Sequence, residues 1–327
     1  MPNREIRMSF PTHGIIGKFK RITLNPPHMS ADAIEFYNRY TDQVESEKVY
    51  GDAYLKFIYG NPLGKLALHA LVKRALFSRW YGWRMDRPSS RAKVAPFIEN
   101  FATDINELAD DPKSFKTFNE FFYRKLKPEA RPIHADADSA VFPADGRHLG
   151  FQNIAEIDGI FVKGQVFRLE QLLGNYQLAR RYREGSMILS RLCPVDYHRF
   201  HFPAAGTPGE TELINGPLYS VNPIALVQNI HIFAENKRAI CELDSDRFGK
   251  VLFLEIGATC VGGFEYTYKP GATVRKGAEK GYFKFGGSST ITLFEPGRIQ
   301  LDSDLIHHTS EYRELYAKMG DHMGIAR

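Results

Sequence analysis

The chain has 327 residues, 43% hydrophobic and 25% charged, with a net charge of +5. That is long enough for one large or two modest domains with a buried core, and its composition is that of an ordinary globular protein. The weak basicity suits an anionic membrane surface or an acidic ligand and makes no case for nucleic acid. Cys193, Cys241 and Cys260 are far apart and form no CxxC pair, which argues against a disulfide framework or a zinc site.

Residues 1–30 carry Pro2, Pro11, Pro26 and Pro27 and read as an extended arm without the apolar core of a signal peptide. Ser30 is placed to cap a helix through about Val49, with Asp32 and Glu35 in its first turns. Pro62 opens a stronger segment, 63–84, in which Lys65, Lys73, Arg74, Arg79 and Arg84 alternate with Leu and Phe. Both tryptophans, Trp80 and Trp83, lie in it, and no acidic residue stands between Asp52 and Asp86. A basic helix of this kind lies in a membrane interface or packs on its own domain; the missing acids favour lipid. No apolar window reaches the roughly 18 residues that span a bilayer.

Ser89–Leu108 and Asp111–Leu126 are predicted as two further helices. Thr117 and Glu120 stand at capping-box spacing, and Phe118, Phe121 and Phe122 form a buried stripe. From Ala140 the pattern changes to short β-rich runs between Gly and Pro turns, which predicts a largely antiparallel β domain. The fold class is α+β, divided into a membrane-associating helical part, 1–110, and a β-rich catalytic part, 111–327. Gly271-Ala272-Thr273-Val274-Arg275-Lys276-Gly277 followed by Gly281 resembles the strand-turn-strand of lipoyl- and biotin-carrier barrels, without the carrier's Met-Lys turn.

Three stretches carry possible chemistry. Gly286-Gly287-Ser288-Ser289-Thr290 precedes a β-branched run, so a serine hydroxyl stands next to an unhindered glycyl carbonyl. Asp145 sits in the turn Pro143-Ala144-Asp145-Gly146. Asp196-Tyr197-His198-Arg199-Phe200-His201 concentrates an acid and two histidines. Ser288, one of these histidines and Asp145 together have the composition of a Ser/His/Asp relay. A metal held by His198 and His201 lacks a third ligand at a telling spacing, with His307-His308 the only suggestion. No Gly-x-Ser-x-Gly elbow, P-loop or GxGxxG pattern occurs.

These motifs, in order, resemble the phosphatidylserine decarboxylase family from about Tyr50 to Pro296. The resemblance runs through Phe118-Asn119-Glu120-Phe121-Phe122-Tyr123-Arg124, Pro143-Ala144-Asp145-Gly146 and Asp196–His201. It continues in Asn215-Gly216-Pro217-Leu218-Tyr219, Gly257-Ala258-Thr259 and Phe285–Thr290. Counting back from Leu293-Phe294 puts Ser288, and not Ser289, in register with the family's serine.

The resemblance implies a proenzyme that cuts itself between Gly287 and Ser288, into 1–287 (β chain) and 288–327 (α chain). His201, oriented by Asp145, would take the Ser288 proton. Residue 288 would become a pyruvoyl group, the covalent cofactor that condenses with the substrate amine, and His198 would reprotonate the carbon after CO2 leaves. It also implies phosphatidylserine as substrate, a peripheral position on the cytoplasmic side of a bacterial cell membrane with its anionic surface, no metal, and a homodimer of processed units. Arg199, Lys237 and Arg238 are available cations for a headgroup. Open alternatives are the same chemistry on an aromatic amino acid or another serine phospholipid, a non-catalytic lipid-binding homologue, and a Ser/His/Asp lipid hydrolase.

Overall fold

In the computed structural model the described residues are 34–47, 52–68, 75–156, 168–226, 231–259, 263–285 and 288–327. The strands are β1 (Glu35–Asn38), β2 (Gln43–Ser46), β3 (Ser139–Val141), β4 (Gly146–Phe151), β5 (Ser186–Leu192), β6 (Arg199–His201), β7 (Thr207–Ile214) and β8 (Arg238–Ser245). They continue with β9 (Gly249–Ile256), β10 (Phe264–Tyr266), β11 (Glu279–Phe283), β12 (Ser288–Phe294), β13 (Ile299–Leu301), β14 (Glu314–Ala317) and β15 (His322–Ala326). Nine form one sheet in the order β2-β1-β14-β4-β5-β12-β9-β8-β7, antiparallel except where β1 runs parallel to β14. Two three-stranded sheets, β10-β11-β6 and β13-β15-β3, complete the β structure.

The centre of the large sheet is closed to solvent on both faces. Every residue of β5 and of β12 is buried, in keeping with their near-continuous β-branched and apolar runs. On one face Leu189, Leu254, Ile256, Ile291 and Leu293 pack against short helices. These are α1 (Asp52–Gly60), α2 (Pro62–Ala67), α6 (Leu169–Leu173), α7 (Tyr176–Tyr182), α8 (Pro223–Leu226) and α9 (Ile232–Glu235); α3 (Ala75–Met85), α4 (Val94–Phe101) and α5 (Phe118–Phe122) lie between α2 and α6 in the chain, and α10 (Ser303–Ser310) comes last. On the other face Leu192 and Phe253 meet Phe200 and Phe283 of the β10-β11-β6 sheet. A separate aromatic cluster joins α3, α4 and α5 through Met85, Phe97, Phe118, Phe121 and Phe122, and Phe285 enters it from the far end of the chain.

The α+β class is as expected, with helices ahead of a large, mostly antiparallel sheet. Three expectations change. The helix predicted from Ser30 to Val49 is, over its described residues, a hairpin of β1 and β2; Asp42 takes the left-handed conformation (φ 56°) that its short polar side chain tolerates. Pairing with β14 overrides the helix-start signals, which are local and weak. The long helices expected over 89–108 and 111–126 are short pieces: α4 ends at left-handed Ala102, and Asp104 and Asp111 side chains cap single 3-10 turns. Thr117 does cap α5, accepting the Glu120 N–H at 3.1 Å. No closed barrel forms among the described strands; the carrier-like stretch instead makes one bridge, Gly206 to Val274, and leads into β11.

Among the described residues no helix is long and apolar enough to cross a membrane. Within 57–83, however, Phe57, Leu63, Leu66, Leu76, Trp80 and Trp83 are exposed. Arg84 lies over the Trp80 ring at 5.1 Å and Arg87 over Trp83 at 4.0 Å.

Candidate active site

Ser288 opens β12, where it pairs with Leu192 of β5; two residues on, Thr290 pairs with Glu255 of β9. Side chains alternate along a strand, so Ser288, Thr290 and Thr292 share the face of Leu192 and Phe253. Ser289 turns the other way, with Ile291 and Leu293. The Ser288 face is the one covered by the β10-β11-β6 sheet, whose Phe200 and Phe283 share a cluster with Ala144, the neighbour of Asp145. The Ser288 Oγ is fully buried and, like the hydroxyls of Ser289, Thr290 and Thr292 along the same strand, has no hydrogen-bond partner among the described residues; what sets Ser288 apart is its face and its place at the strand's head. Such an atom costs stability and needs an explanation, and chemistry is one.

His198 supplies a second such atom. Its Nδ1 donates to the Asp196 carbonyl at 3.0 Å, which leaves the buried Nε2 lone pair without a partner. Burial pushes its pKa down to about 3, so the ring is a neutral base. The ring packs at a tilt on Phe122, with centroids 3.9 Å apart, and Phe122 meets Phe285, three residues ahead of Ser288, at 4.8 Å. The loop before it is tied down from several sides. Arg147 Nη1 donates to both Asp196 oxygens (2.8 and 2.6 Å), the Cys193 N–H donates to Asp196, and Arg124 donates to the Val195 carbonyl at 3.0 Å. Further along this buried network Glu47 is held down to about 2, against the burial that would raise it, by Arg191 and Arg147.

His201 lies three residues on, in β6. Its Nδ1 donates to the Gly277 carbonyl at 3.0 Å, and Tyr197 Oη lies 3.3 Å from Nε2. Burial lowers its pKa, while the Gly277 carbonyl, Glu279 and Asp145 act to raise it. Gly277 has φ 74°, where a Cβ would also run into Ile133, so only glycine puts that carbonyl there without strain. Asp145 does not hydrogen-bond His201. Its oxygens accept from Arg131 Nε and Nη2 (2.8 and 2.6 Å) and from the Met319 N–H (2.9 Å). Asp145 reaches His201 only through its charge. The expected three-residue relay is therefore not joined by hydrogen bonds: the Gly277 carbonyl fixes the His201 tautomer, and Arg131 holds Asp145.

Sequence reasoning passed over Arg131 and quoted Tyr197 and Gly277 within longer stretches without giving either a role; the contacts of Arg131 and Gly277 join segments distant in the chain. It assigned Phe118–Phe122 to the core, yet Asn119 in that helix accepts the Phe285 N–H. Of the possible headgroup cations, Arg199 is taken by Glu279 and the Tyr123 carbonyl, and Arg238 by the carbonyls of Leu172 and Gln171. His307 and His308 come together with Glu311, but the Arg313 guanidinium lies 2.7 Å from Glu311 and 3.4 Å from His308 Nδ1, where a cation would sit.

A buried serine heads a central strand, and a buried neutral histidine with an open lone pair is linked to the residues ahead of it through Phe122 and Phe285. Residues 118–324 match the phosphatidylserine decarboxylase family. The chain is 44% identical to the phosphatidylserine decarboxylase proenzyme of Fusobacterium nucleatum over 296 residues, covering 90% of this chain and 99% of that one. It is 45% identical to the proenzyme of that name from Chlamydia muridarum (90% and 98%) and 42% identical to that of Clostridium botulinum strain Kyoto (89% and 99%). The chain belongs to the phosphatidylserine decarboxylase family, the pyruvoyl-dependent carboxy-lyases.

Proposed function

We propose that this chain is a phosphatidylserine decarboxylase proenzyme that cuts itself between Gly287 and Ser288 and then works on phosphatidylserine from the membrane surface. The observation that carries the site assignment is the partnerless Ser288 Oγ at the start of β12, on the face covered by the histidine-bearing sheet. The fully buried start of β12 and the buried His198 Nε2 without a partner fit a pyruvoyl group at position 288, a group that needs a dry site and a nearby polar atom; the Ser288 oxygen itself departs with Gly287.

His201, fixed as the Nδ1–H tautomer, takes the Ser288 hydroxyl proton at Nε2. The oxygen adds to the Gly287 carbonyl carbon, the C–N bond breaks, and the nitrogen takes a proton, giving an ester. Loss of the α-proton and of the Gly287 carboxylate separates the chain into 1–287 and a dehydroalanine-capped 288–327. Tautomerisation and uptake of one water then release ammonia and leave the pyruvoyl group. Once formed, that group supplies an electron sink for the pair left behind by departing CO2.

His198 is neutral in the resting site. Its open Nε2 accepts a hydrogen bond from the substrate amine once that has entered unprotonated, and a proton taken up at Nε2 as the buried site gains charge is the one returned to the α-carbon. Asp145 supports His201 through its charge. A second division of labour, with His198 serving Ser288 as well, is favoured by its open lone pair.

The exposed apolar residues of 57–83, with Arg84 and Arg87 over the two tryptophans, support docking on an anionic, cytoplasmic membrane face. The turn 271–281 keeps a carrier-like role only as scaffold, since it supplies the carbonyl that orients His201. A homodimer of processed units completes the proposal, and light scattering tests it.

Intact mass spectrometry with an assay of CO2 release tests the function. Two pieces, the smaller ketone-capped, and turnover of phosphatidylserine vesicles are expected. A single unbroken polypeptide that releases CO2 rejects the mechanism, and turnover of free aromatic amino acids alone rejects the substrate.

A further inference from the structure

We propose that Asn119, backed by Asp86, is a positioning residue for self-cleavage, holding the chain just ahead of the bond that breaks. The inference rests on the cut between Gly287 and Ser288 proposed above. Asn119 lies in α5 with none of its surface exposed. Its Oδ1 accepts the Phe285 N–H at 2.8 Å, and its Nδ2 donates to Asp86 Oδ1 at 2.8 Å. The Phe285 ring is enclosed by Tyr81 (5.6 Å), Phe118 (5.1 Å) and Phe122 (4.8 Å). On the other side of the bond, Ser288 is the first residue of β12, held by β5. One flank of the bond is thus fixed by a sheet, and the other by a side-chain amide and an aromatic socket.

The cleavage chemistry needs this. The serine oxygen must meet the carbonyl carbon of its own predecessor, and a misplacement of about 1 Å costs a rate on the order of 100-fold. The residue type also matters. Position 119 must accept from a backbone N–H and donate to a carboxylate, which asparagine does and aspartate does not. An aspartate there would set two carboxylates against each other. Asn119 itself makes and breaks no bond.

The two reactions of the site separate here. After the cut Phe285 belongs to the longer piece and residue 288 to the shorter one. Loosening Phe285 should therefore slow processing and leave turnover per pyruvoyl group nearly unchanged.

The experiment follows freshly translated full-length chain by intact mass, with ketone titrated by a hydrazine reagent and CO2 release normalised to it. Asn119→Ala is expected to cleave at least about tenfold more slowly than wild type, with turnover per ketone within about twofold. Asn119→Asp should also be slow. Asn119→Asp combined with Asp86→Asn restores one acceptor for Phe285 and one donor–acceptor pair behind it, and should return cleavage to within about threefold of wild type. A folded Asn119→Ala protein cleaving at the wild-type rate overturns the proposal, as does an equal fall in processing and in turnover per ketone. Should Asn119→Ala not fold, the exchanged pair decides: no recovery over Asn119→Asp overturns it. A wild-type chain left uncut between Gly287 and Ser288 instead brings down the functional reading itself.

Discussion

Replacing His198 with asparagine separates its chemistry from its structural bond, because the Asn amide overlays Nδ1–H and can still donate to the Asp196 carbonyl. The folded ring takes a proton only near pH 3, against an ordinary 6.5, because it is buried. Between those values the unfolded chain binds the extra proton, so acid favours unfolding and stability rises with pH. Integrating from pH 8 down to pH 5, a histidine titrating at about 6.5 when unfolded and not at all when folded removes about 2 kcal/mol. In the His198→Asn protein that much of the acid-side loss should disappear. The assay is chemical denaturation at pH 5 and pH 8 on the Ser288→Ala background, where one chain unfolds and the midpoints compare directly. On the cleavable background the same substitution should lower decarboxylation by about 100- to 10,000-fold; continued processing assigns Ser288 to His201 alone, and lost processing assigns it to His198 as well. An unchanged pH dependence of stability would refute the reasoning, since it would mean that the ring is protonated, or exposed, in the folded protein.

Ser288→Ala should abolish both the cut and CO2 release, while Ser289→Ala, on the opposite face of β12, should still cleave; mass spectrometry of the two decides the register. Lys280 and Glu255 form an ion pair with no exposure, over the rings of Phe253 and Tyr266. Lys280→Met should cost about 3–5 kcal/mol by stranding the carboxylate, and adding Glu255→Gln should recover most of it, read as denaturation midpoints. In Lys280→Met the penalty should fall as the pH is lowered and Glu255 becomes neutral. Trp80→Ser with Trp83→Ser should weaken flotation with anionic vesicles by about tenfold or more and leave self-cleavage at its normal rate.

The α+β class and the β-rich texture after Ala140 were legible, and the stretches holding the candidate serine and histidines stood out because each rests on local order: a Gly-Gly-Ser turn before a β-branched run, or two histidines in one short segment. Counting along the chain favours Ser288 over Ser289, and strand alternation puts the two on opposite faces of β12, so the two readings are separable by experiment. What was illegible depends on partners far away. Glu35–Asn38 has helix-start acids nearby and becomes a strand only because β14, near the other end of the chain, offers an edge. Asp145 was read as a partner for histidine, yet Arg131, sitting between Ala130 and Pro132 with no motif around it, takes its carboxylate. Asn119 looked like a helix residue among phenylalanines, and nothing near it in the chain hints at Phe285.

The placement of β12 between β5 and β9 has a consequence for the proposed two-chain molecule. Cut between Gly287 and Ser288, the short piece, 288–327, would contribute β12, an interior strand of the large sheet, β14, which joins β1 to β4, and two of the three strands of the β13-β15-β3 sheet. Pulling it out means opening hydrogen-bond ladders on both sides at once, so the halves should stay together at any dilution that keeps them folded. Denaturation ends that protection: recovery then requires an encounter between separate molecules, and it should become slower and less complete as the sample is thinned. The intact precursor folds with its ends already joined, so the proposed cut would arm the enzyme and at the same step make its folding irreversible in practice.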